Sequence, residues 1–311
     1  MADKVLEQLK AQNIFDLRGV VAVVTGGGSG IGMMISSTLV ANGATVYIVG
    51  PKQQELDAVC AKYNEATEGI SNGRMHGLEG DIRLKSEATR LASEISTRSP
   101  EGVTVLFNNA GISSPAPGRP TINADGTPPS AADFVAAYFD SVTQEQFTDV
   151  FATNAVGPFW LTFAFLPLLE KWKSSTNKFV PQVIMTSSMN GWTKDSATCG
   201  HSYPYLFSKM AIGQATATLA NELLPLGIRV HGIAPGLFLT GMSLGADTID
   251  ALGSSGSVRQ REFGFRCRPR RPNRITGQHQ RRSRRAKQIR EVNSLKILKA
   301  DLAKSFSAGK A

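Results

Sequence analysis

The chain has 311 residues, of which 41% are hydrophobic and 19% charged, a composition that excludes wholesale disorder and fibrous repeats. Its net charge of +9 divides unevenly. Residues 1–257 hold 17 lysines and arginines against 22 acidic residues, a net −5, whereas residues 258–311 hold 17 against 3, a net +14. An acidic body therefore precedes a strongly basic tail.

The cysteines and the apolar segments indicate the cellular location of the chain. Cys60, Cys199 and Cys267 lie far apart, outside any Cys/His cluster, which argues against a disulfide framework or metal site and favours a reducing compartment. The most apolar run, 158–169, is interrupted by polar residues and proline and is shorter than the about 20 residues that span a bilayer. We therefore expect a cytoplasmic location and no membrane partner.

Buried-type strands alternate with helical segments along the first 240 residues. The predicted strands are Val20–Thr25, Ala44–Val49, Arg74–Glu79, Val103–Phe107, Gln182–Thr186 and Ile228–Ile233. They lack polar alternation, which is typical of parallel strands covered on both faces. The pattern predicts a Rossmann-like, doubly wound α/β fold with a parallel sheet of six strands.

Two further segments depart from this regular alternation. Residues 113–140 are rich in proline and predict a long loop with one helical turn near 131–139, and long loops at the carboxyl ends of parallel strands are usually functional. Residues 143–173 predict a long helix with proline at 158 and 167.

A glycine cluster, Gly26 to Gly32, lies between the first strand and its helix. Glycine allows a tight turn and close approach of the backbone to a pyrophosphate, and the helix that follows offers its amide groups to the anion. At this position the cluster predicts a dinucleotide site.

Further motifs follow the cluster in a fixed order. They are Asn108-Asn109-Ala110-Gly111 after strand four, Asn154 in the next helix, Ser187-Ser188 at the end of strand five, Tyr205 with Lys209 in the helix after it, and Pro235-Gly236 with Thr240 after strand six. With the spacing Thr25-Gly26-x-x-x-Gly30-x-Gly32, this series resembles the short-chain dehydrogenase/reductase family over residues 18–240. Residues 15–19 resemble the start of its 3-oxoacyl-carrier-protein reductases.

Tyr205 and Lys209 lie four residues apart and therefore share one helix face. A tyrosine acting as acid or base near pH 7 needs its pKa of about 10 lowered by roughly three units, and a neighbouring ammonium shifts it in that direction. The resemblance implies three further roles: Ser188 steadies the substrate carbonyl, Asn154 supports a proton relay, and Lys209 also holds the nicotinamide ribose.

The resemblance also implies an NAD(P) site. Its residues would be Thr25, Gly26, Ser29, Gly30, Ile31, Gly32, Lys52, Asp81, Ile82, Asn108, Asn109, Ala110, Gly111, Tyr205, Lys209, Pro235, Gly236, Phe238 and Thr240. Asp81, which follows a glycine, would equally serve as an ordinary helix N-cap.

The end of the second strand favours NADP over NAD. An NAD enzyme would place an acidic residue there for the ribose hydroxyls, whereas this chain has Gly50, followed by Pro51 and Lys52. Lys52 would pair with the 2′-phosphate, or would be a solvated lysine at a helix start.

The sequence predicts the class of substrate less specifically than it predicts the cofactor. Apolar residues expected around the mouth of the site favour an apolar carbonyl compound such as an oxoacyl or polyketide-like chain, although the same residues would also serve as core and lid packing. They are Tyr138, Phe139, Trp192, Leu237, Phe238, Leu239 and Met242. The resemblance also implies a homo-oligomer.

The predicted catalytic domain spans residues 1–252, and residues 253–311 form the tail. The seventh strand that the family has is absent from the tail sequence; only 291–306 has a helical stripe. The tail would be disordered, the product of a shifted frame or retained intron, or a nucleic-acid-binding segment. If the tail binds nucleic acid or another acidic partner, the alternative function is a catalytically silent nucleotide-binding protein. The intact catalytic residues argue against this alternative.

Overall fold

The computed structural model describes residues 5–6, 9–115, 118–173, 179–194, 202–238 and 240–244, all within the compact unit Met1–Ser255. The predictions for residues 253–311 lie outside these ranges. The strands are β1 (Val21–Thr25), β2 (Thr45–Gly50), β3 (Arg74–Glu79), β4 (Val105–Asn108), β5 (Gln182–Thr186) and β6 (Arg229–Ile233).

All six described strands form one parallel sheet in the order β3-β2-β1-β4-β5-β6. The chain moves outward from β1 in one direction and then, from β4, in the other. In such a sheet, ligands bind at the carboxyl ends of the strands where the direction reverses. The predicted Rossmann-like, doubly wound α/β fold is confirmed.

Helices connect the strands. They are α1 (Ala11–Ile14), α2 (Gly30–Ala41), α3 (Gln53–Ala66), α4 (Lys85–Arg98), α5 (Ala131–Tyr138), α6 (Gln144–Phe151), α7 (Gly157–Lys173), α8 (Tyr203–Glu222) and α9 (Gly241–Leu244). The predicted turn in the long loop is α5, which begins with a capping box formed by Ser130 and Asp133.

Strand β1 shows why the strand sequences are continuously apolar. Successive side chains of a strand point to opposite faces of a sheet. Val21 and Val23 pack into one core cluster with α7 residues such as Phe165, whereas Ala22 and Val24 pack into a second cluster on the other face. Both faces are covered, so a polar residue in β1 would be buried on either side.

Four of the predicted strands, β1, β2, β4 and β6, differ from the structure by one or two residues at their ends, and the long helix is not continuous α-helix. Strand β4 begins at Val105 rather than Val103, because the Val103 amide bonds the Leu168 carbonyl instead of a strand partner. The predicted long helix is divided by a π-helical turn, Ala152–Val156, into α6 and α7. Pro158 follows the π-helical turn directly, and Pro167 lies inside α7.

The continuous helical stretch Gln144–Lys171 is long and apolar enough to cross a membrane, which exceeds what the apolar run alone predicted. The same helical stretch is part of the core, because its side chains Leu161, Phe165 and Leu169 are fully buried in the cluster that it forms with the sheet. The cytoplasmic location and the homo-oligomer remain predictions.

Candidate functional site

The glycine loop after β1 needs backbone conformations that only glycine adopts readily. Gly26 has φ +64° and Gly30 has φ +50°, both in the left-handed region. At Gly32 space is the limit, because an added Cβ would lie 2.0 Å from the Gly26 carbonyl oxygen. The loop thus leaves its backbone open toward the carboxyl edge of the sheet.

Thr25 and Asn109 tie this loop to the one after β4. The Thr25 hydroxyl accepts hydrogen bonds from the amides of Asn109 and Ala110, each at 3.0 Å, and the Asn109 side chain donates to the Thr25 carbonyl at 3.0 Å. Asn108 lies deeper, donating to Thr162 on α7. Thr25, Asn108 and Asn109 hold the two loops in place and line neither of the cavities described next.

Two cavities flank these loops. The larger, about 1050 Å³, runs along the carboxyl ends of β1, β2, β3 and β4; six of the predicted cofactor residues line it, namely Gly26, Ser29, Asp81, Ile82, Ala110 and Gly111. The smaller, about 340 Å³, is lined by predicted residues from the other side of the site, Ile31, Ser188, Tyr205, Gly236, Phe238 and Thr240. Gly30, Gly32, Lys52, Pro235, Asn154 and Lys209 line neither cavity.

The larger cavity fits a dinucleotide. Its volume is that of a cofactor-sized site, and the glycine loop brings bare backbone to it. Ser29, the N-cap of α2, makes no side-chain cap bond, so its hydroxyl is available to a phosphate. The residues present therefore suit the group that the sequence predicts.

The end of this cavity beside β2 and β3 is charged. Hydrogen bonds from the Arg83 guanidinium lower the pKa of Asp81, and Arg83 also pairs with Asp149 at 3.0 Å. Asp81 is not the N-cap of α4, because that position is Leu84. Lys52 is the N-cap residue of α3 and is largely exposed, with its ammonium 2.7 Å from the Glu55 carboxylate.

Sequence reasoning did not identify Glu79, which also lines this end of the cavity. Its carboxylate accepts a hydrogen bond of 3.2 Å from the amide of Gln53, the first residue of α3. Its own amide donates to the Gln53 side chain at 2.8 Å. The end of β3 thus places a negative charge beside Gly50, where the end of β2 has none. A glutamate at the end of an edge strand is too common for sequence alone to mark it.

Ser188 and Tyr205 meet in the smaller cavity. Ser188 is buried at the end of β5, where its hydroxyl accepts a hydrogen bond of 3.2 Å from the Asn190 amide and also bonds the Tyr205 hydroxyl. The neighbouring Ser187 points elsewhere and donates to the Lys209 carbonyl at 2.8 Å. Of the two serines, only Ser188 faces Tyr205.

The pKa of Tyr205 is raised rather than lowered. Burial is the largest cause, and the hydrogen bond with Ser188 opposes it. The Lys209 ammonium lies 5.6 Å from the centre of the Tyr205 ring and donates its hydrogen bond to the Thr186 carbonyl, and it is not among the causes of the shift in the pKa of Tyr205. The expected lowering of this pKa by Lys209 is therefore wrong for this arrangement. Tyr205 is a protonated acid at neutral pH.

Lys209 is 3% exposed and donates one hydrogen bond, of 2.9 Å, to the Thr186 carbonyl. Its ammonium also faces Gly111, where an added Cβ would lie 3.3 Å from it. Burial lowers the pKa of Lys209 to about 8. The ammonium is therefore held at the junction of β5, α8 and the β4 loop.

Asn154 lies in the π-helical turn and is fully engaged. The side-chain oxygen of Asn154 accepts a hydrogen bond of 2.8 Å from the Ile112 backbone amide. The side-chain nitrogen donates to the Ile112 backbone carbonyl and to the Ser208 hydroxyl, both at 2.9 Å. Ser208 in turn donates to the Tyr205 carbonyl at 2.8 Å. Ser208, which sequence reasoning missed, thus connects Asn154 to the helix that carries Tyr205. Only its place beside Lys209 would have signalled it.

The loop between Ser188 and Tyr205 is partly described. Trp192 is 63% exposed, and its ring packs over Gly213, where an added Cβ would come within 2.7 Å. Residues 195–201 and Leu239 lie outside the described residues. Of the predicted mouth residues, Leu237, Phe238 and Met242 line the smaller cavity.

The buried ammonium predicts a pH dependence of stability. The folded-state pKa of Lys209 is about 8 and the unfolded value is near 10.4. Between these values the unfolded chain binds more protons, so the free energy of unfolding gains a contribution that rises with pH, on the order of 3 kcal/mol in full. Urea unfolding from pH 7 to 10 should show this rise in wild type relative to Lys209→Met. Parallel curves for the two proteins would contradict it.

Comparisons with known proteins identify the family that this chain resembles. The sequence model of the short chain dehydrogenase family matches residues 20–248. A short-chain dehydrogenase/reductase, PhomF, of Diaporthe leptostromiformis is 33% identical over 79% of this chain and 78% of its own. The rhamnolipids biosynthesis 3-oxoacyl-[acyl-carrier-protein] reductase of Pseudomonas aeruginosa is 31% identical over 74% of this chain and 77% of its own.

Solved structures show the same likeness. The Pseudomonas aeruginosa RhlG/NADP active-site complex superimposes with a TM-score of 0.60 at 28% identity, covering 73% of this chain and 76% of that one. A short-chain type dehydrogenase/reductase from Mycobacterium marinum, at 22% identity and a TM-score of 0.60, covers 77% of this chain and 81% of its own and shares the fold.

Proposed function

The chain belongs to the short-chain dehydrogenase family, and on that premise we propose that it is an NADP-dependent reductase that interconverts a ketone and a secondary alcohol. As a family member it is an oxidoreductase that acts on CH–OH or C=O groups of small molecules and uses NAD(P). The observation that carries the proposal is the meeting of the Ser188 and Tyr205 hydroxyls in one cavity, with the Lys209 ammonium buried behind them.

The bound cofactor supplies a hydride to the carbonyl carbon. Tyr205, protonated at neutral pH, donates its proton to the carbonyl oxygen, and Ser188 holds that oxygen by a hydrogen bond. The raised pKa of Tyr205 suits the direction of reduction, because the side chain enters the reaction as an acid. Tyr205 and Lys209 would hold the nicotinamide end of the cofactor.

Lys209 resupplies the proton, and Asn154 supports this relay by positioning the backbone beside it. A pKa of about 8 lets Lys209 give up and regain a proton near neutral pH, whereas an ordinary lysine would not. Asn154 fixes the Ile112 backbone with two hydrogen bonds at the edge of the larger cavity. Asn154 thereby shapes the wall along which the relay would run.

NADP is favoured by three observations. Gly50 ends β2 without a carboxylate, Lys52 is the next basic side chain, and the similar RhlG structure is an NADP complex. Glu79 opposes the 2′-phosphate, since its carboxylate already occupies the amide of Gln53. The preference for NADP therefore depends on Lys52 leaving Glu55 for the phosphate.

Replacing Lys52 by alanine is expected to raise KM for NADPH about tenfold and to leave KM for NADH unchanged, since a charge-assisted phosphate contact contributes roughly 1.5–3 kcal/mol. Glu55→Gln should lower KM for NADPH by releasing Lys52 from its ion pair. Lys62→Ala, an exposed lysine on the same helix, is the control. Steady-state kinetics with both cofactors measure these effects, and an equal change for NADPH and NADH would contradict the assignment.

The substrate is proposed to be an oxoacyl or polyketide-like ketone. The smaller cavity is mostly apolar, with Leu206, Phe238 and Met242 among its lining residues. One relative acts, by its name, on 3-oxoacyl groups. An apolar chain carrying a ketone matches this lining.

The direct test is a cofactor-oxidation assay. Purified protein with NADPH and a panel of 3-oxoacyl thioesters and aromatic ketones should consume NADPH, monitored by absorbance, with NADH less effective. Oxidation of neither cofactor by any ketone, in protein that binds NADPH, would overturn the proposed reaction. A preference for NADH would overturn the cofactor assignment alone.

A further inference from the structure

A cluster of three serine hydroxyls lies beside the smaller cavity, and two of its members line it. Ser114 and Ser202 are 8% and 5% exposed, and their oxygens are 2.7 Å apart. Ser113 lies 3.4 Å from the Ser202 oxygen and 3.1 Å from the Ser114 carbonyl. Ser113 and Ser202 line the cavity together with Ser188 and Tyr205. The catalytic mechanism uses none of these three hydroxyls.

Ser202 is released from the usual role of a serine in its position. It is the N-cap of α8, yet its side chain makes no cap bond. An N-cap serine accepts from the amide of the second or third helical residue, and the second is Pro204, which has no amide hydrogen. The Ser202 hydroxyl turns instead toward Ser114 and the cavity.

The hydroxyl protons of the cluster can be counted. Ser113 donates to the Ser114 carbonyl, and Ser114 has two acceptors, the Ser202 oxygen at 2.7 Å and the Pro115 carbonyl at 3.4 Å. Within the described part of the chain, the Ser202 hydroxyl has the hydroxyls of Ser113 and Ser114 as its only hydrogen-bond partners. The pair has two orientations. In one, Ser202 donates to Ser114 and Ser114 donates to the Pro115 carbonyl; in the other, Ser114 donates to Ser202 and the Ser202 proton is free to bond an oxygen in the cavity. A ligand oxygen beside Ser202 would favour the second orientation.

The cluster lies close to the reacting groups. Ser202 and Tyr205 are three residues apart at the start of α8, a spacing that places Cβ atoms about 5–6 Å apart on a helix. Most of the remaining lining is apolar, including Leu206, Phe238 and Met242. The cavity therefore offers two hydroxyl positions, one formed by Ser188 with Tyr205 and one formed by Ser202 with Ser113, within a largely apolar wall.

From this arrangement we infer that Ser202 and Ser113 form a second oxygen-binding subsite, which selects substrates with another carbonyl close to the one that is reduced. The matching class is a 3-oxoacyl thioester or other 1,3-dicarbonyl compound, with its ketone on Ser188 and Tyr205 and its second carbonyl accepting from Ser202. This inference rests on the proposed function and adds the part of the substrate that the subsite recognises.

The test compares two substrates in two variants. One substrate is a 3-oxoacyl N-acetylcysteamine thioester, and the other is the same ketone with the thioester carbonyl replaced by a methylene. Ser202→Ala should lower kcat/KM for the thioester about tenfold, mainly through KM, and change the mono-ketone less than twofold, as a lost hydrogen bond of about 1.4 kcal/mol predicts. Ser113→Ala should show the same selectivity to a smaller degree.

Ser93→Ala, an exposed serine on α4, is the matched control and should leave both substrates unchanged. Equal losses for both substrates, or no loss for either, would overturn the subsite. Thermal unfolding checks each variant, and if Ser202→Ala fails to fold, the substrate ratio of Ser113→Ala decides. A wild-type enzyme that reduces both substrates equally well overturns the subsite and leaves the proposed function standing. A wild type that reduces neither overturns the function itself.

Discussion

Replacing Tyr205 by phenylalanine is expected to lower kcat/KM for ketone reduction about a thousandfold, the typical contribution of a positioned general acid. The substitution removes one hydroxyl from the smaller cavity and keeps the ring that packs near the Lys209 ammonium. NADPH binding should therefore persist, with a Kd within a few-fold of wild type. The measurements are steady-state kinetics and a fluorescence titration of NADPH.

Tyr203 supplies the control for this prediction. It lies on the same turn of α8, with its ring packed edge-on against Tyr138 at a centroid distance of 5.1 Å, and it lines neither cavity. Tyr203→Phe should keep at least half of the activity. Retention of more than a tenth of the activity in Tyr205→Phe would remove the tyrosine from the mechanism, whatever its effect on KM.

Replacing Gly32 by alanine is expected to abolish NADPH binding and to destabilise the fold by several kcal/mol. The added Cβ would lie 2.0 Å from the Gly26 carbonyl oxygen and 2.6 Å from the Asn109 side chain, so the glycine loop and the β4 loop would have to separate. Inserting extra groups into a packed core typically lowers the free energy of unfolding by about 1–3 kcal/mol, and a clash with backbone costs more because backbone cannot move aside. Thermal unfolding and NADPH titration report the two effects separately.

Gly28 provides a matched substitution in the same loop. An added Cβ there would lie 3.3 Å from the end of the Leu56 side chain, which can move aside, and at an ordinary contact distance of 4.0 Å from the end of the Ile48 side chain. Gly28→Ala should therefore bind NADPH with a Kd within about threefold of wild type, since a few tenths of a kcal/mol correspond to less than that factor. If Gly28→Ala and Gly32→Ala lose binding equally, the loss comes from flexibility of the loop rather than from the clash.

The sequence predicted the sheet well because its strands are covered on both faces. Strands such as Val21–Thr25 and Thr45–Gly50 are apolar without interruption, and each is followed by glycine or a turn, so their type and order could be read directly. The glycine loop was equally clear, because its glycines are required by the local backbone conformation and not by contacts with distant residues.

Parts of the candidate site depend on tertiary contacts that sequence alone does not reveal. The pKa of Tyr205 is raised by burial and lowered by its hydrogen bond with Ser188, and neither contact can be obtained from a four-residue spacing. Likewise Glu79 and Ser202 come to the site from separate elements, β3 and the start of α8. Their types are common on protein surfaces, so only the fold distinguishes them.

The π-helical turn at Ala152–Val156 has a consequence for how this chain can vary. A π turn holds about one residue more than an α turn, so deleting one residue there would convert it to an α turn and leave α6 and α7 in nearly the same relative rotation. Leu161 and Phe165 would then keep their places in the core, whereas Asn154, which lies in the wide turn, would lose its hydrogen bonds to Ile112. The extra residue therefore serves the candidate site and not the packing of the core. A one-residue deletion at this turn would impair catalysis more than stability.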